Sequence, residues 1–234
     1  MGSQDTFQYA MSSNHAWAGY KAHQNPTFFQ KLAAGQSPSI LWIGCADSRV
    51  PETTVTGLQP GDIFVHRNIA NIVSPTDINT SAVLEYGVAH LKVKHIVICG
   101  HSACGGCNAV LAEQPVGGVL DTWLTPLREV HDRNAEEISA IKDDLARNTR
   151  VSEMNVKSSV SVVMNNWIVK QAIRERGLQV HGCMFDLASG RLSNLGVGTD
   201  TGFFNTGAQV SQDLVRGKHA MLVFRNGSAE MATR

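Results

Sequence analysis

Four short apolar runs restrict what this chain can fold into: SILWIGC at 39–45, DIFVHR at 62–67, HIVICGH at 95–101 and QVHGCMFD at 179–186. They are rich in β-branched residues and nearly continuous in hydrophobicity, the pattern of strands covered on both faces rather than one. Helical patterns lie between them, at 81–91 before the third run and over a long region, 120–177, before the fourth. Such alternation predicts an α/β fold built on a central, mostly parallel sheet. Ahead of the first run, 14–34 reads as a helix whose Trp17, Tyr20, Phe28 and Leu32 form an apolar stripe interrupted at Pro26. Open α/β sheets place their sites outside the C-terminal strand ends. The chemistry is therefore expected just after Cys45 and His101.

The chain has 234 residues, with 20 Lys+Arg against 20 Asp+Glu. A nucleic-acid binder needs a basic surplus or stripe, and neither is present. The longest uncharged stretch, 95–112, is broken by GHSACGGCN and cannot form a lipid-facing helix. Charged residues make up 17% of the chain, against about 25% in typical soluble proteins, which suggests surface covered by association between copies. Five cysteines without a secretory signal point to a reducing compartment, and the expected location is cytoplasmic. The Gly2…Thr6 match to a myristoylation pattern is read as chance.

Cys45 ends the first run, in CADSR, and His101 and Cys104 end the third, in HSACGGC. Two thiolates and one imidazole make a zinc ligand set that leaves a fourth position for water. Gly105 and Gly106 permit close backbone approach beside it. Two other readings stand beside this one. Cys45 could be a buried core thiol, and Cys104-Gly-Gly-Cys107 resembles a redox dithiol, which leaves Cys45-x-Asp47-x-Arg49 unexplained. Cys107, Cys99 and Cys183 read as core residues. Asp47 and Arg49 read as an ion pair that orients groups around a metal thiolate.

Together, CADSRVPE, GDIFVHRNIAN and ICGHSACGG resemble the β-class carbonic anhydrases, bacterial and fungal members in particular, over residues 35–186. The resemblance implies one Zn2+ per chain on Cys45, His101 and Cys104, with Asp47 and Arg49 as the catalytic dyad. Asp47 is also expected to serve as a fourth ligand in a closed, low-pH state. Gln36, Phe64, Ile69, Tyr86 and Gly105 are implied to line the carbon dioxide pocket, Ile69 standing where the family has Val. The family's dimer is expected to place aromatics of one copy in its partner's cleft. Some bacterial members hold a second, inhibitory bicarbonate on a Trp, an Arg and a Tyr. Here Trp42 and Arg67 match, but Phe185 takes the place of the Tyr, so Arg67 is expected to pair with a carbonyl or carboxylate instead.

The resulting expectation is an α/β protein with four parallel strands plus an antiparallel edge strand, flanked by helices and preceded by the helical arm. Residues 1–234 are read as one domain with a C-terminal extension over 199–234, in which the run 220–225 reads as an extra strand or a tail packing on a partner. The expected activity is reversible hydration of carbon dioxide to bicarbonate and a proton, by attack of zinc-bound hydroxide. Alternatives are hydrolysis of carbonyl sulfide or carbon disulfide at the same site, or a zinc- or bicarbonate-binding protein of low activity. A homodimer or homotetramer is expected, with no membrane or nucleic-acid partner.

Overall fold

The four apolar runs become β1 (Ile40–Cys45), β2 (Ile63–Asn68), β3 (His95–His101) and β4 (Gln179–Asp186) in a computed structural model that describes residues 5–112, 114–199 and the backbone of two strands beyond them. They lie in the order β2-β1-β3-β4, and every pairing among them is parallel. A fifth strand, β5 (Arg191–Gly198), pairs antiparallel with β4 and forms the edge. The tight connection between them uses Gly190 at φ 67° and the Asp186 carboxylate, which accepts from the backbone N–H groups of Ala188 and Ser189 at 3.2 and 3.1 Å.

The sequence pattern does not locate this edge strand. RLSNLGVG mixes polar residues with two glycines, both at positive φ, and glycine inside a strand weakens the local signal. The run at 220–225 is a strand, β6 (Met221–Arg225), but its partner is β7 (Ser228–Ala232) in a separate two-stranded sheet. The chain divides into two units, Met1–Gly202 and Phe203–Arg234, and this hairpin belongs to the second. The rest of the 199–234 extension, apart from Thr199, lies outside the described residues, as does Gly2.

The arm starts earlier than the helix expected over 14–34, while the break expected at Pro26 is present, separating α1 (Thr6–Gln24) from α2 (Phe28–Ala33). α1 begins eight residues earlier because the Asp5 side chain caps it, accepting from Phe7 N at 3.1 Å. It buries no residue within its own chain, so no core-facing stripe marks its start in the sequence.

Between β1 and β3 the chain forms α3 (Glu52–Thr56), β2, and α4 (Ile78–Glu85), which runs into a π-turn at Tyr86–His90. α4 starts at Asp77, whose carboxylate accepts from Asn79 N and Thr80 N. After β3 come α5 (Gly105–Leu111), α6 (Val119–Arg133), α7 (Ala135–Ser139), α8 (Asp144–Asn165) and α9 (Trp167–Arg176). α9 ends where Gly177 turns left-handed at φ 68°, a conformation that glycine adopts without a Cβ clash.

Leu41, Ile43, Ile96, Ile98 and Val180 on one sheet face are fully buried among residues of α4, α8 and α9, such as Leu84, Val156, Val160 and Val169. Burying each aliphatic side chain of this kind contributes about 1.5–3 kcal/mol. The opposite face carries Trp42, Cys99 and Phe185, packed with Val50 and the half-buried Val97, Cys183 and Leu187. Cys99 is thus core, as read, whereas Cys183 is only half-buried.

Candidate metal centre

From β1 the chain steps to β2 on one side, and after α4 it returns to β3 on the other. Between β1 and β3 the strand order therefore reverses, the place where open α/β sheets put their sites, beyond the C-terminal strand ends. Cys45 is the last residue of β1, His101 the last of β3, and Cys104 the N-cap of α5. One ligand atom from each of these three lies within 4.8 Å of the other two. They are 7%, 0% and 1% exposed respectively.

The turn that joins His101 to Cys104 is pinned at several points. Ser102 N donates to Phe185 O at 3.0 Å, while Ser102 Oγ donates to Asp186 Oδ1 at 3.1 Å and accepts from Leu187 N at 2.9 Å. Ala103 sits at φ 54°, an uncommon region for a residue with a Cβ. That kink lets a strand residue and a helix cap, only three positions apart, aim at one point.

His101 Nδ1 lies 2.9 Å from Ser102 O. A carbonyl only accepts, so Nδ1 carries the hydrogen and Nε2 turns its lone pair toward the two cysteines. Nε2 is buried without a hydrogen-bond partner. Leaving a buried acceptor unsatisfied costs about 1–3 kcal/mol, a cost that a cation between the three side chains would remove. Without a cation, Cys45 is pushed up to about 12 by its hydrogen bond with Cys104 and by burial. Cys104 is likewise pushed to about 12, first by its hydrogen bond with Cys107. For His101, burial pulls downward, but nearby Cys45, the Ser102 carbonyl and the Asp47 charge leave a net rise. A divalent ion reverses this order, because coordinating thiols lose their protons. Two sulfurs and one imidazole fit zinc.

Arg49 grips Asp47 at both oxygens, Nε on Oδ1 at 2.9 Å and Nη2 on Oδ2 at 2.7 Å, and Arg49 N adds a bond to Oδ1 at 3.0 Å. The guanidinium holds the Asp47 carboxyl well below the usual range, and His101 adds to the effect. Asp47 Oδ2 stands 3.9 Å from His101 Nε2. The Asp47 side chain is mostly buried beside the cluster, whereas Arg49 is exposed. Arg67 donates to Cys45 O at 2.8 Å and to Asp47 O, and faces Glu52 at 3.8 Å. Trp42 and Phe185 pack together in an apolar cluster.

Of the expected pocket residues, Phe64 on β2 and Tyr86 at the π-turn meet with ring centroids 5.6 Å apart. Tyr86 and Ile69 are 46% and 44% exposed, unusual for side chains of this type. Gly105 opens α5 beside Cys104, and nothing lies within 4 Å of where its Cβ would be. Gln36 is exposed on the segment between α2 and β1. Cys107 is buried in the cluster of Ala70, Leu124, Leu127 and Val151 that backs the site.

Asn148, on α8, escapes sequence reasoning. Its Oδ1 accepts from Cys104 N and its Nδ2 donates to Cys104 O, both at 2.9 Å. One signal was available: Asn148, Ser152, Asn155 and Ser159 follow a helical 4-3-4 spacing, which puts four polar residues on one stripe, and all four are buried.

The family model described as "Carbonic anhydrase" matches residues 40–192. A carbonic anhydrase of Emericella nidulans is 45% identical over 195 residues, covering 83% of this chain and 85% of the relative. One from Candida albicans is 37% identical over 202 residues, covering 86% and 72%. Among solved structures, one of two tetrameric β-carbonic anhydrases from Sordaria macrospora is 64% identical, covers 84% of this chain and 100% of its own, and superposes with a TM-score of 0.83. With its five-stranded sheet, its Cys–His–Cys cluster at the strand-order reversal and these relatives, the chain belongs to the β-class carbonic anhydrases and is a carbonate dehydratase.

Proposed function

We propose that the chain hydrates carbon dioxide reversibly to bicarbonate and a proton with one Zn2+ held by Cys45 Sγ, Cys104 Sγ and His101 Nε2. The observation that carries this reading is the buried, partnerless Nε2 of His101 beside two cysteine sulfurs. Zinc, when bound, supplies a water acidic enough to ionise near neutral pH. The surrounding side chains then divide the work. Asp47, kept ionised by Arg49, offers an acceptor oxygen beside His101 that receives the nucleophile's hydrogen bond and aims its lone pair. Arg49 prevents that carboxylate from swinging onto the ligand cluster. Phe64, Ile69 and Tyr86 give the apolar wall against which carbon dioxide rests, and the amides of Gly105 and Gln36 receive its oxygens.

Exposed Tyr86 and Ile69, and an arm none of whose residues is fully buried in its own chain, support a homo-oligomer, a dimer or a dimer of dimers, in which a second copy covers these groups. The Sordaria relative, described as tetrameric, favours the same reading. No helix among the described residues is long and apolar enough to cross a membrane, and we place the protein in the cytoplasm on the thiol content.

The test combines elemental analysis with stopped-flow carbon dioxide hydration on the purified protein. One zinc per chain and turnover of carbon dioxide well above that of carbonyl sulfide and carbon disulfide are expected. Full activity in metal-free protein would sink the proposal.

A further inference from the structure

We propose that Asn148 is the positioning residue of the metal centre, its one amide closing on both backbone groups of Cys104 and so fixing where that sulfur points. This rests on the reading of Cys104 as a ligand. Asn148 is 1% exposed, lies 44 positions from Cys104 in sequence, and takes part in both 2.9 Å bonds at once. A carbonyl only accepts and an N–H only donates, so the two bonds settle which end of the amide faces which group, and Asn108, one turn into α5, accepts from the same Nδ2 at 2.6 Å.

Cys104 needs such a hold. It follows Ala103 in the left-handed region, and α5, which it caps, is only seven residues long. A short helix and a kinked turn do not by themselves fix a cap residue's orientation. α8 is a 22-residue helix that packs along β3 and β4. Its buried stripe reaches the second site-bearing segment too: Asn155 Nδ2 donates to Ala70 O at 2.7 Å, and Ser159 Oγ accepts from Val73 N at 3.3 Å. One helix therefore sets both the ligand turn after β3 and the segment after β2 that carries Ile69. Asn148 touches neither substrate nor the reacting atoms, so it acts only through Cys104.

The experiment compares Asn148→Ala, Asn108→Ala and Asn155→Ala in the full chain. Zinc affinity is read by chelator competition, and the thiolate-to-metal absorption band is read in the Co2+-substituted protein. Partners of metal ligands typically change metal affinity about 10–100-fold when removed. Asn148→Ala should weaken zinc by that factor and shift the Co2+ band. Asn108→Ala, at an exposed position, should shift both in the same direction by less. Asn155→Ala, equally buried on the same helix but bonded to Ala70, should leave the band unchanged. Wild-type zinc affinity and an unshifted band in folded Asn148→Ala would overturn the proposal, and so would equal effects in Asn155→Ala. If Asn148→Ala does not fold, wild-type affinity and band in Asn108→Ala would overturn it. Full zinc content in Cys104→Ala would instead overturn the ligand assignment beneath it.

Discussion

Arg49 Nη2 reaches past the carboxylate it grips to the carbonyl of Ala103, 3.2 Å away. One side chain thereby couples the acid that follows β1 to the left-handed turn that follows β3. Removing it should free Asp47 and loosen the turn together. Arg49→Ala is expected to lower hydration activity about 100-fold, the scale on which small misplacements act. Because the folded-state acidity of Asp47 is strengthened, the pair adds stability above the ordinary carboxylate pKa and loses it only as pH falls through its depressed value. The melting-temperature gap between wild type and Arg49→Ala should therefore be present at neutral pH and close in strong acid. Undiminished activity in the mutant would count against the dyad.

Cys104 and Cys107 should separate cleanly. On the proposed ligand set, Cys104→Ala is expected to lose zinc by elemental analysis, as are Cys45→Ala and His101→Ala. Cys107 is buried among aliphatics, and Cys107→Ala should keep its zinc while losing about 1 kcal/mol of stability. Zinc lost from Cys107→Ala and kept in Cys104→Ala would exchange their roles.

Gly106 is required by a neighbour. A Cβ there would lie 2.8 Å from Ala70 Cβ, on a residue already held at φ 60°. Gly106→Ala is expected to cost about 1–3 kcal/mol in chemical denaturation, through overpacking at the base of α5. Gly105→Ala meets nothing within 4 Å and should leave stability nearly unchanged. Equal stability in the two variants would contradict the packing.

His66 is 8% exposed, between Thr80 Oγ1 at 3.0 Å and Asn68 Nδ2 at 3.2 Å. Burial lowers its pKa despite the pull of Asp77, and His95 is lowered in the same way, by burial and then by Lys94. Below the ordinary histidine pKa of about 6.5 the unfolded chain binds protons that the folded chain refuses, so stability falls with pH in that window. Melting temperature should drop between about pH 6.5 and 5, and His66→Gln should flatten the slope. An unchanged slope in that variant would assign the effect elsewhere.

The arm leaves Phe7, Tyr9, Met11 and Tyr20 between 51% and 70% exposed. On the proposed homo-oligomer, deleting residues 1–34 is expected to reduce the molar mass seen by light scattering, because exposed apolar surface of this size favours association. An unchanged assembly state would show that the sheet and its helices suffice.

Much of this protein is legible in its sequence because the signals are local. A strand buried on both faces must be continuously apolar, so β1 to β4 announce themselves, and the rule for open parallel sheets then singles out Cys45 and His101 from pattern alone. Local patterning also yields the break at Pro26. Other features belong to tertiary contacts, which leave no local trace. β5 becomes a strand because β4 offers it an edge, despite glycines that argue against it. α1 starts at Thr6 without a buried face to mark it. The tautomer of His101 follows from the position of one carbonyl, and the hold of Asn148 on Cys104 depends on a helix 44 residues away. Residue types fix which donors exist; only the packing of α8 against β3 and β4 decides which of them meet.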